Sequence, residues 1–279
     1  MKEALREDRA WSDATSRFFL PPGARAEAVV VSRADGVVSG ADCAAEAFRL
    51  LDEKCRVSIV AGDGTPVRKG GVVLRVSGPL SSILSAERTA LNLLCHLSGI
   101  ATLTREFVRR AGGRAKILDT RKTHPSLRDM EKWAVVCGGG VNHRRDLSDD
   151  VLIKENHLDA WGGKLDAPRF FSRVRAARDR GLTVMMEARD RKEILLALDA
   201  GVDVLLLDNF SVKTLPKIVR WIKTLCRDQG LRRPLLEVSG GVTLETTAAI
   251  SRSGVDRISV GRLTHSVPAL DMGLDVRPI

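Results

Sequence analysis

The chain has 279 residues, 44% apolar and 29% charged, with a net charge of +10. That length allows one large domain or two modest ones, and no stretch approaches the roughly 18 apolar residues of a membrane span, so no membrane partner is expected. The positive balance invites anions, but nucleic-acid binders add stacking aromatics or a dense basic stripe. Tyrosine is absent and aromatics are 4%, so a concentrated small-anion site is expected and no nucleic-acid partner.

The first residues, "MKEALREDRAWSDATSRFFLPPGARAEAVVV", mix both signs of charge and contain no apolar signal core with a small-residue cleavage site. A cytoplasmic location is therefore expected. The five cysteines, Cys43, Cys55, Cys95, Cys137 and Cys226, form no Cys-x-x-Cys pair. An odd count in that setting argues against a disulfide frame and for small buried hydrophobes. Cys137, His143 and His157 match no zinc spacing.

In chain order, "AEAVVVSRADGVVSG", "CRVSIVAGDGTPV" and "GGVVLRVSG" read as strands broken by Asp-Gly and Gly-Gly turns. "AAEAFRLLDEK" is a helix among them. "SAERTALNLLCHLSGIATLTREFVRRAGG" is a long helical pattern, with an interruption expected near Ser98-Gly99. A domain junction falls close to Gly112-Gly113. From Lys116 onward the rhythm changes. Aliphatic runs "KILDT" (116–120), "VLIK" (151–154), "TVMME" (183–187), "VLLLD" (204–208), "LLEVS" (235–239) and "RISVG" (257–261) alternate with helical stretches such as "PRFFSRVRAARDRG" and "DRKEILLALDAG". Such alternation implies parallel strands with right-handed crossovers. Six units are fewer than the eight of a closed barrel, so an open, incomplete α/β barrel is expected, with a doubly wound sheet as the rival.

Sites in such sheets sit at the carboxyl ends of the strands. Here those ends carry Arg121-Lys122, Lys154, Glu187, Asp208, Ser239-Gly240-Gly241 and Gly261-Arg262. Strands also stop at polar residues merely because loops are exposed, but cations first, acids next and glycines last form an ordered set. "SGGVT" leaves a strand for a helix with Thr243 as N-cap, so bare amides and a helix N-terminus offer a phosphate site. Arg121, Lys122, His143, Arg144 and Lys154 form a cation cluster. Gly138, Gly139 and Gly140 are expected to let His143 and Arg144 turn inward. His143 reads equally as a core histidine bonded to a carbonyl. Glu187 and Asp208 fit Mg²⁺ or ribose binding, or structural pairing with the same cations.

These residues carry a resemblance. "ERTALNLLCHLSGIAT", "LDTRKTHPSLRDMEKWAVVCGGGVNHR", "LIKENH", "LLLDNF", "EVSGGVTLE" and "GVDRISVGRLTHSVPALDMGLDV" resemble the quinolinate phosphoribosyltransferase family. The likeness begins at Glu7-Asp8 and "SDATS" and covers nearly the whole chain in order. It implies an N-terminal α/β sandwich domain (residues 1–112, with the tail 266–279 packing back on it) and a C-terminal open α/β barrel of about six strands (113–265). It implies transfer of phosphoribose from phosphoribosyl pyrophosphate to quinolinate with decarboxylation, giving nicotinate mononucleotide, pyrophosphate and CO₂ for NAD synthesis, with Mg²⁺. By the same resemblance Arg121, His143, Arg144 and Lys154 bind quinolinate, and Arg88 reaches in from the neighbouring subunit of a homodimer or higher oligomer. Lys122 faces the phosphoribosyl pyrophosphate, and Glu187 and Asp208 handle ribose and metal. Ser239, Gly240, Gly241 and Gly261 surround the 5′-phosphate.

The chain departs from the family in places. Thr123-His124-Pro125-Ser126-Leu127-Arg128 stands for the usual Thr-Thr-Pro-Gly-Leu-Arg, and Met185-Met186-Glu187 for Glu-Val-Glu. Glu155 replaces an aspartate, and Arg262 a small residue. Two alternatives follow. One is a divergent paralogue of the molybdenum-operon type with another anionic acceptor. The other is a non-catalytic basic nucleic-acid-binding protein.

Overall fold

The computed structural model describes residues 1–160 and 166–279. Two short helices, α1 (Lys2–Glu7) and α2 (Ala14–Phe19), precede the first strand. Asp13 caps α2, accepting from Ser16 N–H at 3.2 Å, and its carboxylate also accepts from the Ser85 hydroxyl at 2.8 Å. There follow β1 (Arg25–Ser32), β2 (Gly36–Val37), α3 (Ala41–Leu51), β3 (Arg56–Ile59), β4 (Pro66–Val67) and β5 (Val72–Pro79). Ala26, Ala28, Val30 and Ser32 of β1 are buried at every second position, the period of a strand with one face on a core. That core is filled by Phe48 of α3, Leu74 of β5, and Ile83 and Leu94 of α4 (Leu80–Ala111).

Helix α4 runs unbroken for 32 residues, so the interruption expected near Ser98-Gly99 does not occur. Gly99 serves another end. A Cβ there would lie 2.3 Å from the carbonyl oxygen of Pro268. The glycine gives room for the C-terminal segment to cross the helix. Beyond that crossing the chain returns to the first sheet.

From residue 116 the barrel strands follow in order. They are β6 (Lys116–Leu118), β7 (Val151–Ile153), β8 (Val184–Ala188), β9 (Val204–Asp208), β10 (Leu235–Ser239) and β11 (Arg257–Ser259). The helices between them are α5 (Arg128–Cys137), α6 (Glu155–Asp159), α7 (Ala167–Asp179), α8 (Arg191–Ala200), α9 (Leu215–Asp228) and α10 (Leu244–Arg252). The sheet is parallel, in the order β6-β11-β10-β9-β8-β7. A doubly wound sheet reverses its strand order at a switch point. Here every step from β7 to β11 moves to the next neighbour, and β6 closes on β11. The sheet is an open barrel with its gap between β6 and β7, and the doubly wound rival is excluded. A short helix, α11 (Arg262–His265), and β12 (Met272–Pro278) end the chain. β12 pairs antiparallel with β1, completing the four-stranded sheet β12-β1-β5-β3, while β2 and β4 pair separately.

By its internal contacts the chain divides into two compact units. One holds residues 1–105, 123–139 and 262–279; the other holds 106–122 and 140–261. The barrel interior follows from register. Leu152, Met185 and Val204 are aligned across β7 to β9, and Met185 packs on Val204, Leu206 and Leu152. Met185 thus sits in an apolar layer of the barrel, which accounts for an uncharged side chain there.

Candidate active site at the strand carboxyl ends

Two residues along from Met185 on the same face of β8 is Glu187. Its Oε1 accepts from Lys154 Nζ at 2.8 Å. Glu187 is buried and Lys154 half-buried. Lys154 leaves the end of β7 as the N-cap residue of α6, its own N–H donating to His157 Nδ1 at 3.0 Å. The two predicted strand-end residues therefore meet directly.

Arg144 joins them. Its Nη1 donates to the Asp150 carbonyl at 2.9 Å. Burial, and then the charge of Arg121, draw the Arg144 guanidinium below its ordinary value; Asp150, Glu187 and Asp146 pull the other way. A guanidinium stays charged throughout the working range. The depression therefore reports two arginines close together in a partly desolvated place. Arg121 Nε is itself buried with no hydrogen-bond partner. An orphaned charged donor beside a like charge is costly unless an anion arrives. Lys122 is exposed, and its backbone N–H donates to Thr120 Oγ1 at 3.1 Å.

His143 lies deeper, 8% exposed. Its N–H donates to Asp119 Oδ1 at 2.8 Å, and its Nδ1 accepts from the Arg144 N–H at 2.8 Å. An accepting Nδ1 leaves the proton on Nε2, which lies 3.4 Å from Glu237 Oε1. Both ring nitrogens are engaged within the barrel, and the ring holds the Arg144 backbone in place. On its other side Glu237 meets Arg257, Nε to Oε2 at 2.9 Å. Arg257 and Glu237 are an ion pair by distance, and neither carboxylate oxygen of Glu237 accepts a well-aligned hydrogen bond. Removing one partner of such a buried pair costs about 3–5 kcal/mol.

The loop glycines act differently from expectation at one position. Gly138 caps the end of α5, and a Cβ there would lie 2.4 Å from the Ala101 carbonyl oxygen of α4. Its smallness serves helix packing. Gly139 adopts φ +88°, open to glycine at little cost.

Asp208 ends β9, aligned with Ser239 at the end of β10. Asn209, at φ +56°, donates from Nδ2 to Asp208 Oδ2 at 2.9 Å. Gly240, at φ +86°, leaves room for this pair. A Cβ there would lie 2.2 Å from Asn209 Oδ1 and 3.2 Å from Asp208 Oδ1. Gly241, at φ +59°, leads to Thr243, which caps α10 and forms a reciprocal box with Thr246. Exposed backbone amides at the mouth of a nine-residue helix suit a phosphate. Gly261 follows β11, whose neighbour Val260 donates its N–H to the Leu118 carbonyl at 2.9 Å. Arg88 lies on the exposed surface of α4 in the first unit.

Glu187 and Asp208 stand on adjacent strands at one rim and offer carboxylate oxygens, the donor type Mg²⁺ takes alongside substrate phosphates. The residues fit that ion. Asp119, Glu237 and Arg257 are the groups sequence reasoning missed. The signal for Glu237 was a charged residue inside an otherwise aliphatic strand, "LLEVS".

Fold and rim together define an α/β-barrel protein that gathers cations, carboxylates and glycine amides at its strand ends. Family models for the C-terminal and N-terminal domains of quinolinate phosphoribosyl transferase match residues 100–275 and 13–98. The chain belongs to the quinolinate phosphoribosyltransferase family. It is 41% identical to the nicotinate-nucleotide pyrophosphorylase (carboxylating) of Mycobacterium leprae, over 99% of this chain and 95% of that one. The solved nicotinate-nucleotide pyrophosphorylase of Francisella tularensis superposes with a TM-score of 0.87 at 35% identity, covering 99% of this chain and 94% of that one. NadC of Streptococcus pyogenes gives 0.89 at 33%, covering 100% and 95%.

Proposed function

We propose that the chain transfers phosphoribose from phosphoribosyl pyrophosphate to quinolinate and decarboxylates the product to nicotinate mononucleotide, a step of NAD synthesis. The observation that carries this reading is the buried, unpartnered Arg121 N–H, in a site where Arg144 feels the charges of Arg121 and Glu187 and Lys154 donates to Glu187. That set suits a small planar dianion. The departures at 123–128, 155 and 262 lie outside this set, so we favour quinolinate over another acceptor.

Arg121, Arg144 and Lys154 hold the two ring carboxylates, and His143 positions Arg144 by accepting its N–H. The fixed ring presents its nitrogen lone pair to C1 of the ribose. The C1–O bond to pyrophosphate breaks as the C1–N bond forms, and the leaving group takes the electron pair. Lys122 faces the departing charge. Glu187 and Asp208 are carboxylates placed to favour the positive charge that develops on the sugar. Glu187 and Asp208 would hold Mg²⁺, which when bound would supply positive charge opposite the leaving pyrophosphate. The pyridinium nitrogen's positive charge then stabilises the electron pair left on the neighbouring ring carbon when its carboxylate departs as CO₂, and that pair takes up a proton. Ser239, Gly240, Gly241 and Gly261 take the 5′-phosphate.

We further place the chain in the cytoplasm as a homodimer, with Arg88 contributed to the partner's site. Among the described residues no helix is long and apolar enough to cross a membrane. The deciding assay follows nicotinate mononucleotide formation from phosphoribosyl pyrophosphate and quinolinate, with and without Mg²⁺, and with nicotinate offered instead. Turnover of quinolinate that needs Mg²⁺ and is not matched by nicotinate supports the reading. Turnover of nicotinate alone, or of neither, contradicts it.

A further inference from the structure

We propose that His96, His124 and Glu131 form a binding site for a divalent transition metal of the zinc class. His96 lies on α4, Glu131 on α5, and His124 on the turn leading into α5. The three offer one donor atom each, all within 4.8 Å of one another. His96 Nε2 is 2.8 Å and His124 Nδ1 2.6 Å from the same Glu131 oxygen, Oε1. The two rings meet edge to face at 5.2 Å.

The chemistry favours a cation there. The Glu131 side chain has no exposed surface, whereas His96 is 22% and His124 51% exposed. Oε1 of Glu131 faces a nitrogen of each ring, and Oε2 faces the His124 backbone N–H, so the carboxyl group is fixed between the two histidines. No lysine or arginine hydrogen-bonds to it among the described residues. Two imidazole nitrogens and one buried carboxyl group converging on one point are the donor set of a zinc-class ion.

The geometry needs little change. Zinc bonds of about 2.0–2.1 Å hold tetrahedral donors about 3.4 Å apart, so each imidazole must retreat from Glu131 by under about 1 Å. The turn is already pinned, because the His124 N–H donates to Glu131 Oε2 at 3.1 Å and Arg128 Nε to Thr123 Oγ1 at 3.0 Å. On binding, a proton carried by the ring nitrogen that faces Glu131 moves to that ring's other nitrogen, and the freed nitrogen takes the metal. Two histidines and one carboxylate leave a fourth position for water, and imidazole donors select zinc-class ions over Mg²⁺. The substitution of His124 for the family's usual threonine thereby gains a reading.

The test uses the untagged full-length chain, stripped with a chelator and titrated with Co²⁺. The expected result is one Co²⁺ per chain with visible d–d absorption, displaced by Zn²⁺, and a rise in Tm on adding Zn²⁺. H124T and H96Q should each weaken binding by at least about tenfold and lose the Tm response. H124T carries the family's own residue, so its folding is expected, and circular dichroism checks it. Three results overturn the proposal: no Co²⁺ bound, binding equal in both variants, or absorption dominated by thiolate ligation from the free cysteines.

Discussion

Arg144 is the side chain on which acceptor recognition turns. A charge-assisted contact of its kind contributes about 3 kcal/mol, and each 1.36 kcal/mol is tenfold in rate, so R144A should lower kcat/KM for quinolinate about 100-fold. Initial rates at varied quinolinate measure this; unchanged turnover contradicts the role given to it. Asp256 bears on stability instead. Although burial raises its pKa, hydrogen bonds from Arg233 and the Leu236 N–H outweigh that and hold it below 3.8. A carboxyl depressed in the folded state stabilises above its unfolded value and loses that contribution as pH falls through the folded one. D256N should therefore flatten the acid limb of stability below about pH 3.8, read from denaturant midpoints. An acid limb as steep as the wild type's would contradict it. Lys154, Glu187 and Asp208 could be placed at the strand ends because each closes an aliphatic run. Glu237 and Arg257 were not legible, because an ion pair inside a barrel breaks the rule that places charge at loops. The His96–Glu131–His124 cluster was not legible either, since 35 residues separate His96 from its partner acid.

At the scale of elements, every strand of the barrel was legible in alternating aliphatic runs, and Gly201 ends α8 at φ +68° as its sequence suggested. Helix α4 was misjudged at one place, because a mid-helix glycine reads as a weak point by propensity alone. Its purpose lies 169 positions on, at Pro268, beyond the reach of any local pattern. The consequence can be measured. G99A gains about 1 kcal/mol of helix propensity but places a methyl 2.3 Å from a backbone oxygen that has no rotamer to escape into. Overpacking of this kind costs about 1–3 kcal/mol, so a net loss is expected from thermal or denaturant unfolding. A variant as stable as the parent would show that the crossing segment yields freely.

At the scale of the whole molecule, the C-terminal strand is antiparallel to β1, so the first sheet is complete only once the last residues are in place. The proposed dimer extends that dependence between chains. If Arg88 serves the partner's site, R88A and K154A should each be inactive alone and regain activity when mixed and allowed to exchange subunits. Half of the reassorted dimers are mixed, and each has one intact site of two, so about a quarter of wild-type activity is expected. No recovery on mixing would place Arg88 in its own subunit's site or outside any site. The most direct measurement of all is a crystal structure with quinolinate and phosphoribosyl pyrophosphate bound. The ring carboxylates should lie within hydrogen-bond distance of Arg121, Arg144 and Lys154, with the 5′-phosphate on the amides of Gly240 and Gly241. Ligands seated away from the strand carboxyl ends, or a ring making no contact with Arg121 and Arg144, would contradict the account.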